Sequence, residues 1–324
     1  MIQLATETLK LIDAIHADEQ TPSYREHLGA SLIGRPCGRE IWYSFHWVTA
    51  PKHEARILRV FGRGHLEEPR FIAWLRQSGV TVTEGPAPGL QYSIVDHDGH
   101  FGGSLDGEAV GIIEIPGSIA VLEFKTHSEK SFKKLTDAGV QKAKLEHYVQ
   151  CQIYMHYRKR AWALYMAICK NTDALYAELV EYDKTVALKY IARARAIIKA
   201  DEPPPRIDPS PGWWQCRFCD HKDICHFDAI PKVNCRTCTH STPGAETTWE
   251  CSYVGKSCGD KYAQLRGCPQ HVFNPHIFNV ADFSGDGKEN YALLTLHDGR
   301  VIKQGPKHLT SEQLWNYGTF SETP

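Results

Sequence analysis

The chain has no apolar run approaching the ~18 residues that a membrane span requires. Its opening stretch, MIQLATETLKLIDAIHADEQ, lacks the apolar core of a secretion signal. Charged and apolar residues alternate there at helical spacing, which predicts an amphipathic helix, a cytoplasmic protein and no membrane partner. Neither sign of charge is in excess: 37 lysines and arginines meet 38 aspartates and glutamates, for a formal net charge of −1. A chain-wide basic field is therefore excluded, and any nucleic-acid partner has to be held in a local groove. The stretch from Lys130 to Lys144 holds five lysines and could form one wall of such a groove, or simply a solvated helix face. There is no internal repeat, no low-complexity tract and no G-x-x-x-x-G-K-[ST] loop of the kind that marks a helicase motor.

What is abundant is cysteine. Eleven cysteines in a chain read as cytoplasmic are hard to explain as disulfides, because cytosolic thiols stay reduced. Cys151 and Cys169 stand singly in apolar contexts and read as packing residues, and Cys37 stands alone near the N-terminus. The other eight fall between Cys216 and Cys268, a density that points to metal. In CRFCDHKDIC, Cys216, Cys219 and Cys225 are spaced by two and five residues. A C-x2-C turn lets two thiolates converge on one ion, and Cys37 is available as the fourth ligand, with His226 as an alternative. The second group is Cys235-x2-Cys238, then Cys251, Cys258 and Cys268. Cys235, Cys238, Cys251 and Cys268 are taken as a tetrahedral Zn2+ site with Cys258 spare. A structural role for this module is preferred to a nucleic-acid role, since the segment is too poor in aliphatics to fold alone.

A helical pattern runs from about Lys52 to Gln77. Between Val80 and Thr126 the period changes to two, with EAVGIIEI, the turn Pro116-Gly117-Ser118 and IAVLEFKT. A helix from about Gln141 to Lys159, the strands AWALYMAI and LYAELVEY, and a helix capped by Asp183 follow. This order predicts an α/β fold with a central mixed sheet flanked by helices. The divisions are placed at 1–228 for the main domain, 229–275 for a small cysteine-rich metal-binding module and 276–324 for an extension built on the hairpin ENYALLTLHDGRVIKQG.

Chemistry concentrates in GGSLDG followed by VLEFKT. Side chains alternate along a strand, so Glu123 and Lys125 share one face while Leu122 and Phe124 point into the core. If the strands pair as a hairpin about Pro116-Gly117, with residue 115 opposite 118, Asp106 opposes His127 and projects from the same face. Two carboxylates holding Mg2+ or Mn2+ beside a lysine suit phosphodiester hydrolysis. Glu-x-Lys on a strand edge is ordinarily only a solvated face, so its context decides.

That context resembles the PD-(D/E)XK nuclease superfamily and its restriction-endonuclease-like core. Asp106, then Glu123-Phe124-Lys125, resembles the superfamily motif. His65 in FGRGHLEEPRFIAWL looks like the upstream histidine of the RecB-like branch, which implies a metal ligand. Glu67 or Glu68, directly after it, could supply an acidic ligand instead. Gln150 and Tyr154 in HYVQCQIY match that branch's glutamine–tyrosine pair, with Gln152 the weaker candidate. The resemblance covers roughly residues 20 to 228 and departs from the pattern in having no proline before Asp106. Cys37 with Cys216, Cys219 and Cys225 resembles the iron–sulfur nucleases of the RecB/AddB and CRISPR-associated-exonuclease type. This implies a 4Fe-4S cluster, and soft thiolates suit Zn2+ as well. Ser31, Arg35 and Arg39 around Cys37 are candidate phosphate contacts. The resemblance implies a Mg2+- or Mn2+-dependent DNA exonuclease of phage type, serving recombination, repair or DNA processing beside a recombination or replication partner protein. A structure-specific endonuclease and a non-catalytic DNA-binding or assembly protein on a nuclease fold are the alternatives.

Overall fold

The computed structural model describes residues 5–18, 24–50 and 53–323. Its centre is a five-stranded mixed sheet of β1 (Thr81–Thr83), β2 (Gly107–Val110), β3 (Ile119–His127), β4 (Trp162–Cys169) and β5 (Leu175–Glu181), adjacent in that order. Only β3 and β4 run parallel. Parallel neighbours need a long crossover, and two helices, α3 (Glu129–Ala143) and α4 (Leu145–Arg158), supply it. Earlier in the chain come α1 (Gly38–Phe45) and α2 (Ala55–Gln77), and later α5 (Lys184–Ile198).

Strand alternation divides β3 and β4 between two cores. Ala120, Leu122 and Phe124, with Leu164, Met166 and Ile168, pack beneath Phe71, Ile72 and Leu75 of α2, and Phe71 stacks on Phe124 at 4.9 Å. Val121, Ala163, Tyr165, Ala167 and Cys169 face the larger core of α1, α4 and α5. A strand covered on both faces tolerates a charge only where something answers it. That is the setting of Glu123.

The connection between β2 and β3 differs from the simple hairpin expected. Gly107 pairs with Leu122 and Val110 with Ile119, so the next step brings Asp106 level with Glu123 rather than with His127. Residues 111–118 are drawn out as a loop because Ile112 and Ile115 are buried in the second core. Gly111, at φ +91°, ends the strand in a conformation that L side chains rarely adopt. The shift is even, so the shared face survives, and Asp106 sits just before β2 rather than within it.

The expected single helix near residue 141 is two helices. Gly139 breaks the first at φ +74°, where Val140 N–H donates to Glu178 Oε2 at 2.8 Å. Asp183 caps α5 by accepting from Thr185 and Val186 N–H. Gln152 donates to the Glu181 carbonyl (2.8 Å) and accepts from Asp183 N–H (2.7 Å), so it ties α4 to the β5–α5 turn.

Beyond residue 228 lie two further three-stranded sheets. One joins Ser241–Pro243, Trp249–Cys251 and Lys256–Ser257; the other joins Asp282–Asp286, Tyr291–Thr295 and Val301–Gln304. The second contains the expected hairpin. Trp249 and Ile277 belong to the larger core, while Phe273, Leu294 and Leu314 help form a third. No helix among the described residues is long and apolar enough to cross a membrane.

Candidate active site

Three carboxylates and one ammonium meet beside β3. Glu123 is fully buried, with one oxygen held by the Lys125 ammonium and Oε2 without any partner. Asp106 Oδ2 accepts from Phe124 N–H at 2.6 Å, which locks the chain before β2 against the middle of β3. Glu68, on α2, is the third. Burial raises its carboxyl and Asp106 raises it further, while His65 and Lys125 pull it down.

Their charges act on one another. Burial raises the Glu123 carboxyl to about 7; Lys125 opposes the shift, and Asp106 and Glu68 add to it. Burial likewise raises Asp106 against Lys125 and the Phe124 N–H. For Lys125 burial works against the charge, but Glu123 and Asp106 outweigh it and hold the ammonium above the ordinary lysine range. Three acids thus compete for one cation, an arrangement that favours additional positive charge.

His65 lies one helical turn before Glu68 and lines the same cleft with Lys125 and Lys170. Its side chain is 80% exposed, with Nδ1 3.7 Å from Glu68 Oε1. Glu67 is instead buried against Arg70.

Gln150 and Tyr154 meet on α4: Gln150 Nε2 donates to the Tyr154 hydroxyl at 3.2 Å, and that hydroxyl donates to the Ser104 carbonyl at 2.8 Å. Ser104 lies two residues before Asp106, so the pair fixes the approach to the carboxylate. The glycines of GGSLDG make this closeness feasible, since a Cβ at Gly103 would lie 2.7 Å from the Tyr154 oxygen. Behind Glu123, level with it on β4, the Tyr165 hydroxyl meets His127 Nε2 and His147 Nδ1, each at 2.9 Å. Burial and the surrounding lysines push His127 down to about 4 and His147 to about 2. Sequence reasoning did not single out these three residues. The available signal was His127 itself, two residues beyond Lys125 on the same face.

Cys37, Cys216, Cys219 and Cys225 line one small cavity with His226. Cys37 also caps α1, accepting from Glu40 N–H at 3.5 Å. Around it the polar side chains have internal partners. Arg35 pairs with Glu40, Arg39 donates to the Pro204 carbonyl and to Tyr43, and Ser31 accepts from Arg25. In the second group Cys258, Cys238 and Cys268 act on the Cys235 thiol, and both Cys268 and Cys251 act on that of Cys238. Among the described residues, no group of three or more His, Cys, Asp or Glu side chains is arranged to hold a metal ion.

No protein-family model matches the chain, and no curated protein matches it. Solved structures similar to it include the crystal structure of SSO0001, with a TM-score of 0.41 at 15% identity over 68% of this chain and 96% of that one. They also include the alkaline exonuclease LHK-Exo from Laribacter hongkongensis, with a TM-score of 0.35 at 15% identity. LHK-Exo in complex with dAMP gives 0.37 at 16%. Both cover 58% of this chain and 90% of the other. Overlaps this shallow carry no argument for a shared activity.

Proposed function

We propose that the protein is a divalent-metal-dependent DNA exonuclease whose site comprises Glu68, Asp106, Glu123 and Lys125. The observation that carries the reading is the buried Glu123 Oε2 without a partner, facing two further carboxylates. A lone carboxylate oxygen is costly to bury. Hard oxygen donors with an unanswered lone pair fit Mg2+ or Mn2+. Glu68, Asp106 and Glu123 would hold the ion, with His65 at the rim, and a bound ion supplies an acidified water and offsets charge on the phosphate.

The remaining work belongs to the chain. Lys125 presents a charged N–H donor beside both carboxylates, placed to orient the attacking water and to stabilise the negative charge that develops on the phosphate. Gln150 and Tyr154 hold the Ser104–Asp106 segment in register. Cys37, Cys216, Cys219 and Cys225 supply soft donors around one cavity, which supports a 4Fe-4S cluster or Zn2+ there. Metal analysis of wild-type protein and of Cys37→Ser tests this second assignment.

Labelled linear and circular DNA, each with Mg2+ and with chelator, test the activity. Mg2+-dependent loss of the linear form alone is expected. Cutting of circles would make the protein an endonuclease, and retarded but intact DNA would make it a binding protein.

A further inference from the structure

Helix α2 carries two glycines in its middle, Gly62 and Gly64. Apart from proline, glycine is the poorest helix former, so both positions weaken the helix that bears Glu68. Packing gives no reason for them, since a Cβ at either would meet no atom within 4 Å. Their surroundings differ. Gly64 is half-buried and lines the cleft of Glu68 and Lys125, a cavity of about 320 Å3. Gly62 is turned about 200° away round the helix and is exposed outside that cleft. A bare stretch of backbone on the wall of the cleft leaves room for a ligand that runs close along it.

The same wall carries an aromatic ring. Phe61, one turn before Gly64, lines the cleft and is 49% exposed. It meets the His53 ring at 5.2 Å and nearly at right angles, which fixes its orientation. An exposed ring in a cleft of this kind offers a face on which an unpaired base stacks.

The sheet side of the cleft supplies positive charge. Ala167 on β4 is level with Lys125, and Lys170 follows three residues later, about 10 Å further along the strand direction. Lys170 lines the cleft too, and its N–H donates to the His127 carbonyl at 2.8 Å. Next to it, Asn171 Oδ1 accepts from Glu129 N–H at 3.0 Å, which brings the start of α3 and its exposed Lys130 to this side. The ammonium of Lys125 is held by Glu123. Lys170 is displaced from it by enough to meet a neighbouring phosphate rather than the one being cut.

We infer that an unpaired DNA strand occupies this cleft, with its backbone against Gly64, a base on Phe61 and a phosphate beside the scissile one on Lys170. This strand path rests on the nuclease reading and narrows its substrate to single-stranded DNA.

Binding of a fluorescent single-stranded oligonucleotide to the full chain, with Ca2+ in place of Mg2+ and across NaCl concentrations, tests it. Urea midpoints establish that each variant is folded, and leucine at either glycine should leave the midpoint level or higher. Gly64→Leu should weaken binding by about tenfold or more, because it fills the space of the strand, while Gly62→Leu binds as wild type does. Phe61→Ala should weaken it by about fivefold or more with the salt dependence unchanged. Lys170→Ala should lower the slope of log affinity against log salt by about 0.7, the value of one phosphate contact on a single strand, and Lys170→Arg should restore it. Relaxed closed circular duplex should compete at least about tenfold less well per nucleotide, having no unpaired base to stack. Wild-type binding in Gly64→Leu, an equal loss in Gly62→Leu, an unchanged slope in Lys170→Ala or equal competition by the circle each overturns the strand path. Hydrolysis in Mg2+ keeps the two readings apart. A wild type that binds as described and cuts nothing sinks the nuclease reading alone, and one that cuts DNA with KM unchanged in Gly64→Leu and Lys170→Ala sinks the strand path alone.

Discussion

Replacing Glu123 with Gln separates two demands on one side chain. Burial, reinforced by Asp106 and Glu68 against the pull of Lys125, raises this carboxyl from 4.5 to about 7. A carboxyl with a raised folded pKa favours the fold while protonated. Its contribution is complete below pH 4.5, is withdrawn as pH rises to about 7, and stays lost above. At about 1.4 kcal/mol per pH unit, ionised Glu123 costs roughly 3 kcal/mol of stability at pH 8 in chelator. Glutamine has the same shape and escapes that cost, but it removes the nearest counter-charge of Lys125 and leaves Asp106 to hold the ammonium. The net expectation is a variant about 1–2 kcal/mol more stable than wild type at pH 8 in chelator, the gap shrinking toward pH 5. Excess Mg2+ should reverse the order. Wild type gains about 2.7 kcal/mol at a hundredfold excess over the dissociation constant, and the variant, lacking a ligand, gains little. Urea unfolding at pH 5 and 8, with Mg2+ and with chelator, reads all four values alongside DNA hydrolysis, which the variant should lack. Full activity in Glu123→Gln, or a wild type whose stability at pH 8 ignores Mg2+, would refute the reasoning.

Lys125→Ala should slow single-turnover hydrolysis by about two to four orders of magnitude while Mg2+ still stabilises the protein, because the lysine acts on water and phosphate; loss of the Mg2+ effect with the rate intact would invert the roles. Glu68→Gln should impair hydrolysis far more than His65→Ala, since Glu68 answers Asp106 and Lys125 while His65 is mostly exposed; steady-state rates across Mg2+ concentrations decide, and the opposite ranking returns His65 to the ligand set. His46, His221 and His271, fully buried, are pushed from 6.5 down to about 3, 3 and 4. With His127 and His147 lowered as well, the unfolded chain binds protons at five histidines that the fold rejects, so stability should fall by roughly 7 kcal/mol per pH unit below about pH 6, of which the raised Glu123 carboxyl returns about 1.4. Urea midpoints that stay level from pH 7 to 5 would contradict that slope.

How much of this was legible follows from what each residue depends on. The shared face of Glu123 and Lys125 depends only on strand alternation, and the meeting of Gln150 with Tyr154 only on helical spacing, so local sequence shows both. The exact partner of Asp106 depends on how far Ile112 and Ile115 are pulled into a core assembled by distant segments. Which of His65, Glu67 and Glu68 turns inward depends on how α2 lies on the sheet. The strand Asp282–Asp286 shows no apolar alternation in DFSGD, and it is defined only by pairing with Tyr291–Thr295. Among the thiols, spacing finds the two C-x2-C turns, each closed by the second cysteine's N–H on the first one's carbonyl.

The polar layer behind Glu123 can be read one step further, because Lys144 has only donors. It donates to Ser131 Oγ at 2.6 Å, so the Ser131 hydroxyl proton is free to go to His127 Nδ1, 3.1 Å away. A neutral His127 that accepts at Nδ1 carries its proton on Nε2 and donates it to the Tyr165 oxygen. Tyr165 then donates to His147 Nδ1, which places the second imidazole proton on Nε2. One lysine therefore sets the direction of four hydrogen bonds on the strand position level with Glu123. Nitrogen NMR of the full chain should show both His127 and His147 as Nε2–H tautomers at pH 7, and an Nδ1–H signal from His127 would break the chain at its second link. Lys144→Met should free the Ser131 oxygen and allow His127 to populate both tautomers, because nothing then dictates which way the Ser131 hydroxyl points.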